Sequence, residues 1–215
     1  MGLITALKSQ KKRRHRISIF VDGDYRLSVS EKVGFGLRVG EELSEEDIHK
    51  LEEEDEIERS YQRALRSISR RPYAEKEIRR KMQQRGISRS VQESVINRLC
   101  DAALLDDAEF ARIWVENRTA FRPRGARVLA LELRQKGILK PEIESALEGF
   151  DEQDAAYRAG QKAAYRWKNA SEEEFQKKVG SYLSRRGFSF SIITSVISQV
   201  RSEVTLQVEE REGDA

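Results

Sequence analysis

A tripeptide pattern that occurs three times constrains the fold of this 215-residue chain more than any other sequence feature. A basic residue, a glycine and an apolar residue recur with the glycines at positions 86, 137 and 187. Apolar residues also recur four and eight positions before each glycine, and nine, ten and thirteen positions after it. Repetition at this period is typical of tandem copies of one supersecondary unit, in which neighbouring copies share a core.

Each copy has the pattern of three helices. An apolar stripe at i, i+4 spacing runs up to each glycine, which predicts a helix that ends there because the C′ position favours a positive φ. The helix after each glycine has a candidate N-cap or first-turn residue near its start, namely Ser88, Pro141 and Ser189. An aromatic-bearing helix opens each copy. The sequence therefore predicts a mainly α protein, an elongated, curved array of three tandem three-helix repeats over residues 55–105, 106–150 and 151–202.

The N-terminal region has a different period. Apolar residues alternate from Ile17 to Val21 and again from Tyr25, on either side of an Asp-Gly turn signal. With a third short run at residues 35–39, this predicts a small antiparallel β meander. Ser44 and Asp47 have capping-box spacing and predict the start of a helix. We expect a basic flexible tail over residues 1–16, the meander plus an acidic linker helix over 17–54, and a frayed acidic C-terminal tail over 203–215.

Charge is sorted along the chain, although the formal net charge is only +3. Residues 41–58 carry eleven acids against one lysine, whereas residues 59–85 carry ten basic residues against Glu75 and Glu77. Those two acids could form i, i+4 pairs with Arg79 and Lys81 alone. So unbalanced a segment indicates binding to a polyanion or to an acidic protein face. For the basic tail, DNA contact and docking on the acidic segment remain equally open.

Nothing in the sequence has the pattern of a catalytic centre. The lone Cys100 excludes an internal disulfide and a cysteine-rich zinc site, and it favours a reducing cytoplasm. No run is apolar and long enough for a membrane span or signal peptide. Asp106, Asp107 and Glu109 could suggest a nuclease metal cluster, but Asp106 fits better as a helix N-cap. We expect a soluble, unexported, non-enzymatic protein that needs no metal and no cofactor.

Several runs together resemble the RecX family of bacterial recombinase regulators. They are ALR at residues 64–66, RPYAEKEIR at 71–79, LLDDAEFA at 104–111 and LELRQKGI at 131–138. The match covers the first two repeats, about residues 59–148, and extends more weakly through the third. The N-terminal meander is an extension that only some members of that family have.

The resemblance implies a protein that lodges in the groove of the RecA filament on single-stranded DNA. It implies inhibition of ATP turnover, strand exchange and coprotease functions, which limits recombination and the SOS response. RecA and nonspecifically bound single-stranded DNA are the expected partners, with double-stranded DNA as a secondary one, and the chain is expected to act as a monomer. The residues expected to contact RecA or DNA are Arg66, Arg70, Arg71, Arg79, Arg80, Lys81 and Arg85 first, and Arg122, Arg124, Arg127, Arg134 and Lys136 second.

A different class of function also fits the pattern. A stand-alone DNA-binding protein could use a helix-turn-helix with Gly86 or Gly137 in the turn. Threefold repetition argues against it, because a sequence-specific regulator needs one recognition helix per half-site and usually a dimer interface.

Overall fold

The computed structural model describes the backbone of residues 1–10 and 15–213 and the side chains as far as residue 204. The chain divides into two compact units, Met1–Asp106 and Asp107–Ala215. The described residues are mostly helical, with an antiparallel sheet in the first unit. The predicted class, a mainly α protein of three-helix domains after an N-terminal antiparallel sheet, is confirmed.

The sheet has four strands in the order β3-β2-β1-β4. Its strands are β1 (Gly2–Ser9), β2 (Arg16–Val21), β3 (Asp24–Ser30) and β4 (Glu42–Leu43). The predicted hairpin is present as β2 and β3, with Asp22 and Gly23 in its turn at φ values of 53° and 94°. Positive φ at both positions matches the right-handed twist of the two strands. Ile4, Ile19 and Val29 are fully buried on one face of the sheet.

Two predictions for this region are wrong. The predicted flexible basic tail contains β1, because Ile4 and its neighbours have partners on both sides, in β2 and β4. The predicted third strand at residues 35–39 is a turn that leaves Phe35 and Val39 exposed, because the chain enters a short helix at Glu31–Gly34 directly after β3 and does not pair with the edge of β3. Residues 11–14, the other part of the predicted basic tail, lie outside the described residues.

Helix α1 (Glu31–Gly34) leads into the turn before β4, and the long helix α2 (Glu45–Ile68) follows β4. Ser44 and Asp47 form the predicted capping box at the start of α2. The predicted boundary at residues 54–55 falls inside α2, which contains no glycine or proline to end it. The acidic linker helix and the first helix of repeat one are therefore one element.

Two buried acids hold α2 against the sheet and against the rest of its domain. Asp55, 4% exposed, accepts hydrogen bonds from the backbone N–H of Ser30 at 2.7 Å and from the Arg16 guanidinium at 3.0 Å. Glu58 accepts from Arg98 at 2.7 Å and from Lys32 at 3.1 Å. Charges so deeply buried are tolerated because cations and N–H donors surround them.

The first three-helix domain combines the C-terminal half of α2 with α3 (Glu75–Gln83) and α4 (Arg89–Asp101). Ser88 caps α4 by accepting from the backbone N–H of Val91. Ile78, Val95 and Leu99 are among the side chains buried between these helices. The sequence stripes that predicted the helices are therefore the core faces.

The second unit contains two further three-helix domains. They consist of α5 (Asp107–Phe121), α6 (Ala126–Lys136) and α7 (Lys140–Leu147), then α8 (Glu152–Arg166), α9 (Glu172–Ser184) and α10 (Phe190–Gly213). The prediction of a frayed tail from residue 203 is wrong for residues 203–213, because α10 continues through Gly213. Residues 214–215 lie outside the described residues.

All three repeat glycines end their helices in the same way. Gly86, Gly137 and Gly187 have φ values of 71°, 96° and 85°. The N–H of the apolar residue after each glycine bonds to a carbonyl five residues earlier, and each glycine N–H bonds to the carbonyl three residues earlier. This pair of bonds is the Schellman motif, which confirms the predicted C′ position.

In the second unit, a glycine pair brings two backbones together. The N–H of Gly125, just before α6, donates to the carbonyl of Arg186 at 2.9 Å. A Cβ atom on Gly125 would overlap the carbonyl of Gly187, and one on Gly187 would overlap the side chain of Val128. The Arg186 guanidinium also donates to the carbonyl of Pro123 at 3.1 Å. These contacts join the third domain to the start of α6.

Candidate functional site

The first predicted basic set lies on α2, α3 and the loops around them. Arg66 is in the last turn of α2, Arg70 and Arg71 are in the loop before α3, and Arg79 to Lys81 are on α3. Arg85 lies in the turn that follows. The set is thus one region of the first domain, but its members differ in charge environment.

Two members are neutralised by acids. Arg79 pairs with Glu75 at 2.5 Å, the i, i+4 pair that the sequence predicts, and also with Glu93 of α4 at 2.9 Å. Although burial opposes the change, the hydrogen bonds to Glu75 and Glu93 raise the pKa of Arg79. Arg71 pairs with Glu77 at 3.2 Å, and this hydrogen bond raises the pKa of Arg71. Arg71 and Arg79 therefore have internal acid partners, and the pair of Arg71 with Glu77 is one that i, i+4 spacing does not predict.

Lys81 has a polar and aromatic environment. Its ammonium donates to the Tyr73 hydroxyl at 2.8 Å and to the Ser67 hydroxyl at 3.2 Å, and lies 4.2 Å from the centre of the Tyr73 ring. The hydrogen bond from Lys81 lowers the pKa of Tyr73. Arg71 lies over the same ring, at 3.6 Å from its centre. Tyr73 therefore organises two of the predicted cations.

Other members remain exposed. The side chains of Arg66, Arg70 and Arg80 have no hydrogen bond or ion pair with any residue that the structure describes. Arg85 is exposed and donates to the carbonyl of Lys81 at 3.2 Å. Guanidinium groups with this freedom can turn their planar set of donors towards a phosphate or a carboxylate.

Arg63, which is not in the predicted set, also belongs to this region. Burial lowers the pKa of Arg63, and repulsion from Arg59, Arg85 and Arg66 lowers it further. Arg63 is half-buried and makes no ion pair within the described part of the chain. The spacing of Arg59, Arg63 and Arg66 places them on one face of a helix, and this signal was available in the sequence.

The second predicted set lies in the second unit. Arg124 approaches Glu132 at 3.5 Å, and Lys136 lies 5.0 Å from the centre of the Trp114 ring. Glu132 also accepts a hydrogen bond from the Trp114 indole at 2.9 Å and pairs with Arg118, which is not in the predicted set, at 2.8 Å. Arg124 and Lys136 are therefore engaged. The exposed members without an ion pair to any described residue are Arg122, Arg127 and Arg134.

The acidic run of Asp106, Asp107 and Glu109 lies at the start of α5. Asp106 directly precedes α5, Asp107 and Glu109 are in its first turn, and Glu109 pairs with Arg112 at 2.6 Å. Within residues 1–10 and 15–204, no group of three or more His, Cys, Asp or Glu side chains could hold a metal ion. No helix among the described residues is long and apolar enough to cross a membrane.

Comparison with family models matches four consecutive parts of the chain. Residues 2–44 match the regulatory protein RecX N-terminal domain. The first, second and third three-helix domains of RecX match residues 61–99, 106–147 and 151–197. The matched ranges cover most of the chain and correspond to the sheet and the three helical domains.

Relatives and solved structures agree with these matches. The chain is 34% identical over 208 residues to "Regulatory protein RecX" of Bacillus subtilis (strain 168), covering 94% of this chain and 79% of the relative. A crystal structure of regulatory protein RecX superposes with a TM-score of 0.74 at 28% identity, covering 91% of this chain and 98% of that one. RecX from Lactobacillus salivarius gives a TM-score of 0.59 at 28% identity, covering 68% and 97%. The chain belongs to the RecX family of regulatory proteins.

Proposed function

We propose that this chain is a non-enzymatic negative regulator of the RecA recombinase. It binds in the groove of the RecA filament on single-stranded DNA, as a monomer in the cytoplasm. Binding inhibits ATP turnover, strand exchange and coprotease functions of the filament, and so limits recombination and the SOS response. Membership of a family of regulatory proteins supports this proposal.

One observation on this chain itself supports the proposal most directly. Six exposed arginines of the predicted contact set have neither an ion pair nor a side-chain hydrogen bond with any described residue, three in each unit. Such groups gain most from an external anion, because their own fold does not neutralise them. DNA phosphates and the acidic side chains of a recombinase both supply that charge. The six residues are Arg66, Arg70, Arg80, Arg122, Arg127 and Arg134.

The direct test is the single-stranded-DNA-dependent ATPase rate of the cognate RecA. The chain is titrated from far below the recombinase concentration to equality, at fixed salt. We expect inhibition at substoichiometric amounts, because one bound molecule affects a filament of many subunits. An unchanged rate in the presence of folded protein would exclude this regulatory function.

A charge-reversal pair tests the contact surface. Arg66→Glu with Arg80→Glu should weaken inhibition by at least tenfold while the helical circular dichroism stays unchanged, because neither residue has a partner to lose. Arg79 is unsuitable for this test, since its reversal would break two internal ion pairs. The matched control is Lys162→Glu with Lys177→Glu, the same charge change at exposed positions of the third domain. Equal inhibition by both double variants would exclude the first-domain surface as the contact.

A stand-alone DNA-binding regulator is the second candidate. A tight glycine turn joins the second helix to the third in each domain, as in α6, Gly137 and α7. That connection is also the hallmark of a helix-turn-helix. Tight selection of one duplex sequence from a random pool would favour this candidate, whereas steep salt dependence without sequence preference would indicate phosphate contact alone.

A further inference from the structure

A small notch lies between the C-terminal half of α2 and the end of α3. It has a volume of about 30 Å³, and its apolar lining includes Ile78 and Met82. The polar residues that line it are Ser60, Arg63, Ser67, Lys81 and Arg85. Three cations and two hydroxyls thus converge from α2, α3 and the turn after α3, and no acidic side chain lines the notch.

The notch is electrostatically unbalanced. Arg63 is half-buried and is repelled by Arg59, Arg85 and Arg66, whereas the attraction of Glu56 is smaller than any of these three repulsions. Arg63 and Arg85 have no acid partner among the described residues. Like charges held together at a partly buried site are relieved when an anion binds between them.

The notch also contains an unused hydrogen-bonding group. Ser60 is 3% exposed, and its hydroxyl has no hydrogen-bond partner among the described residues. Buried hydroxyls are nearly always bonded, so an unpaired one that lines a basic notch indicates a missing partner. An oxyanion can accept from this hydroxyl and from the surrounding guanidinium groups at once.

Comparison among the three repeats shows that Arg85 is available. Arg85, Lys136 and Arg186 each precede the glycine of a Schellman turn. Lys136 lies over the Trp114 ring, and Arg186 lies 4.4 Å from the centre of the Tyr182 ring and bonds a carbonyl of the second domain. Arg85 instead bonds the carbonyl of Lys81, in the helix that directly precedes it. It can leave that carbonyl without uncovering core or breaking a contact between domains.

We propose that this notch is a phosphate site that holds one phosphodiester group of single-stranded DNA. Arg63 and Arg85 donate to the non-bridging oxygens, Lys81 supplies charge, and Ser60 donates through its hydroxyl. A tetrahedral phosphate suits donors that come from two helices and a turn in several directions, whereas a planar carboxylate is satisfied by a single guanidinium fork. The choice of DNA as the source of the phosphate rests on the proposed function.

The test measures binding of the full chain to fluorescent oligothymidylate by anisotropy, over a series of salt concentrations. Arg63→Ala should weaken binding by about three- to tenfold and reduce the slope of log K against log salt by about 0.7, the value for one phosphate contact on a single strand. Arg89→Ala is the matched control, an exposed arginine in the same domain without an ion pair to any described residue. It should leave both quantities unchanged.

A second variant separates binding from folding. Ser60→Ala removes a hydroxyl that has no partner in the free protein, so it should raise the melting temperature while weakening DNA binding. Unchanged binding in both Arg63→Ala and Ser60→Ala would overturn the phosphate site. Polyaspartate could instead compete with DNA for the wild-type chain, with Arg63→Ala losing as much affinity for polyaspartate as for DNA. That result would overturn the phosphate site in favour of an acidic protein ligand.

The same variants distinguish this site from the proposed function. Wild type that binds oligothymidylate through Arg63 but leaves RecA ATPase untouched would support the phosphate site and contradict RecA regulation. In the opposite case, the wild-type chain inhibits RecA, and Arg63→Ala and Ser60→Ala inhibit RecA and bind DNA as well as the wild type does. That result would contradict the phosphate site and support RecA regulation.

Discussion

At the scale of single residues, the first domain uses its charges in two ways. Asp55, Glu58 and Arg79 are enclosed by partners of opposite sign and hold elements together. Arg66 and Arg80 are exposed without an ion pair to any described residue. Substitutions in the first group should change stability, and substitutions in the second should change binding, because only the first group has internal interactions to lose.

Glu58 should make stability depend on acid pH. Burial alone would raise its pKa, but hydrogen bonds from Arg98, Gln62 and Lys32 outweigh burial and lower the pKa to about 2. In the unfolded chain the carboxyl titrates at its ordinary value near 4.5. Because the folded pKa is the lower one, its stabilisation is complete above pH 4.5 and is lost as the pH falls towards 2.

The variant Glu58→Gln should lower the free energy of unfolding by about 2 kcal/mol at pH 7, because it removes the charge that three donors share. Urea unfolding at pH 7 and at pH 3 measures this, and the gap from wild type should narrow at pH 3. Glu54→Gln on the same helix is the control, since Glu54 is exposed and has no ion pair with a described residue. A gap that stays constant with pH would contradict the assigned role.

Two adjacent arginines should respond differently to the same substitution. Arg79→Glu should lower the free energy of unfolding by about 1–2 kcal/mol, because it breaks two ion pairs and places like charges together. Arg80→Glu should change it by less than about 0.5 kcal/mol, as expected for an exposed position. Thermal melts of both variants test this, and equal melting temperatures would show that the Arg79 pairs contribute nothing to stability.

At the scale of elements, the glycine turns organise the helical domains. Each turn reverses the chain with one residue at positive φ and buries the apolar residue that follows. The same turn also has a second use at Gly187, where the backbone contacts the start of α6. Gly86 has open space where a Cβ would stand.

This difference predicts unequal costs for glycine-to-alanine variants. Gly86→Ala should lower the free energy of unfolding by about 1–2 kcal/mol, the cost of the left-handed conformation for a residue with a Cβ. Gly187→Ala should cost more, about 2–4 kcal/mol, because its methyl group would also overlap Val128. Denaturant unfolding of each variant measures both values. An equal loss at the two positions would contradict the close packing at Gly187.

At the scale of the whole molecule, exposed arginines without internal partners occur in both units, on the first and second helical domains. The formal net charge of +3 conceals this, because acids cluster in residues 41–58. If both units contact the filament, each contributes to binding through its own arginines. Contributions of residues that share no partner should add.

Charge reversal in each unit tests this. One double variant is Arg66→Glu with Arg80→Glu, and the other is Arg127→Glu with Arg134→Glu. Each double variant should weaken ATPase inhibition. Combined, their losses of binding free energy should add to within about 0.5 kcal/mol, because they share no partner. Titration of ATPase inhibition for the two double variants and the quadruple variant gives the three values. Full inhibition by either double variant would remove that unit from the interface.

Local sequence signals determined much of the fold. The Ser44 capping box, the Ser88 cap, the Asp22-Gly23 hairpin turn and the repeat glycines all act within five residues along the chain. Hydrophobic periodicity then identified the core faces. These interactions depend on short spacings, so they can be recognised without knowing which elements meet.

Contacts between distant parts of the chain were decided only by the tertiary structure. Strand β1 required the register with β2 and β4, the Arg79 and Glu93 pair required α3 to lie on α4, and the Gly125 contact required the Gly187 turn. Which arginines lack an ion pair with a described residue was likewise decided only by the tertiary structure. By itself the sequence determined where helices and turns form and where positive charge is concentrated. The tertiary structure decided which charges are neutralised, because partners distant in sequence leave no fixed spacing to read.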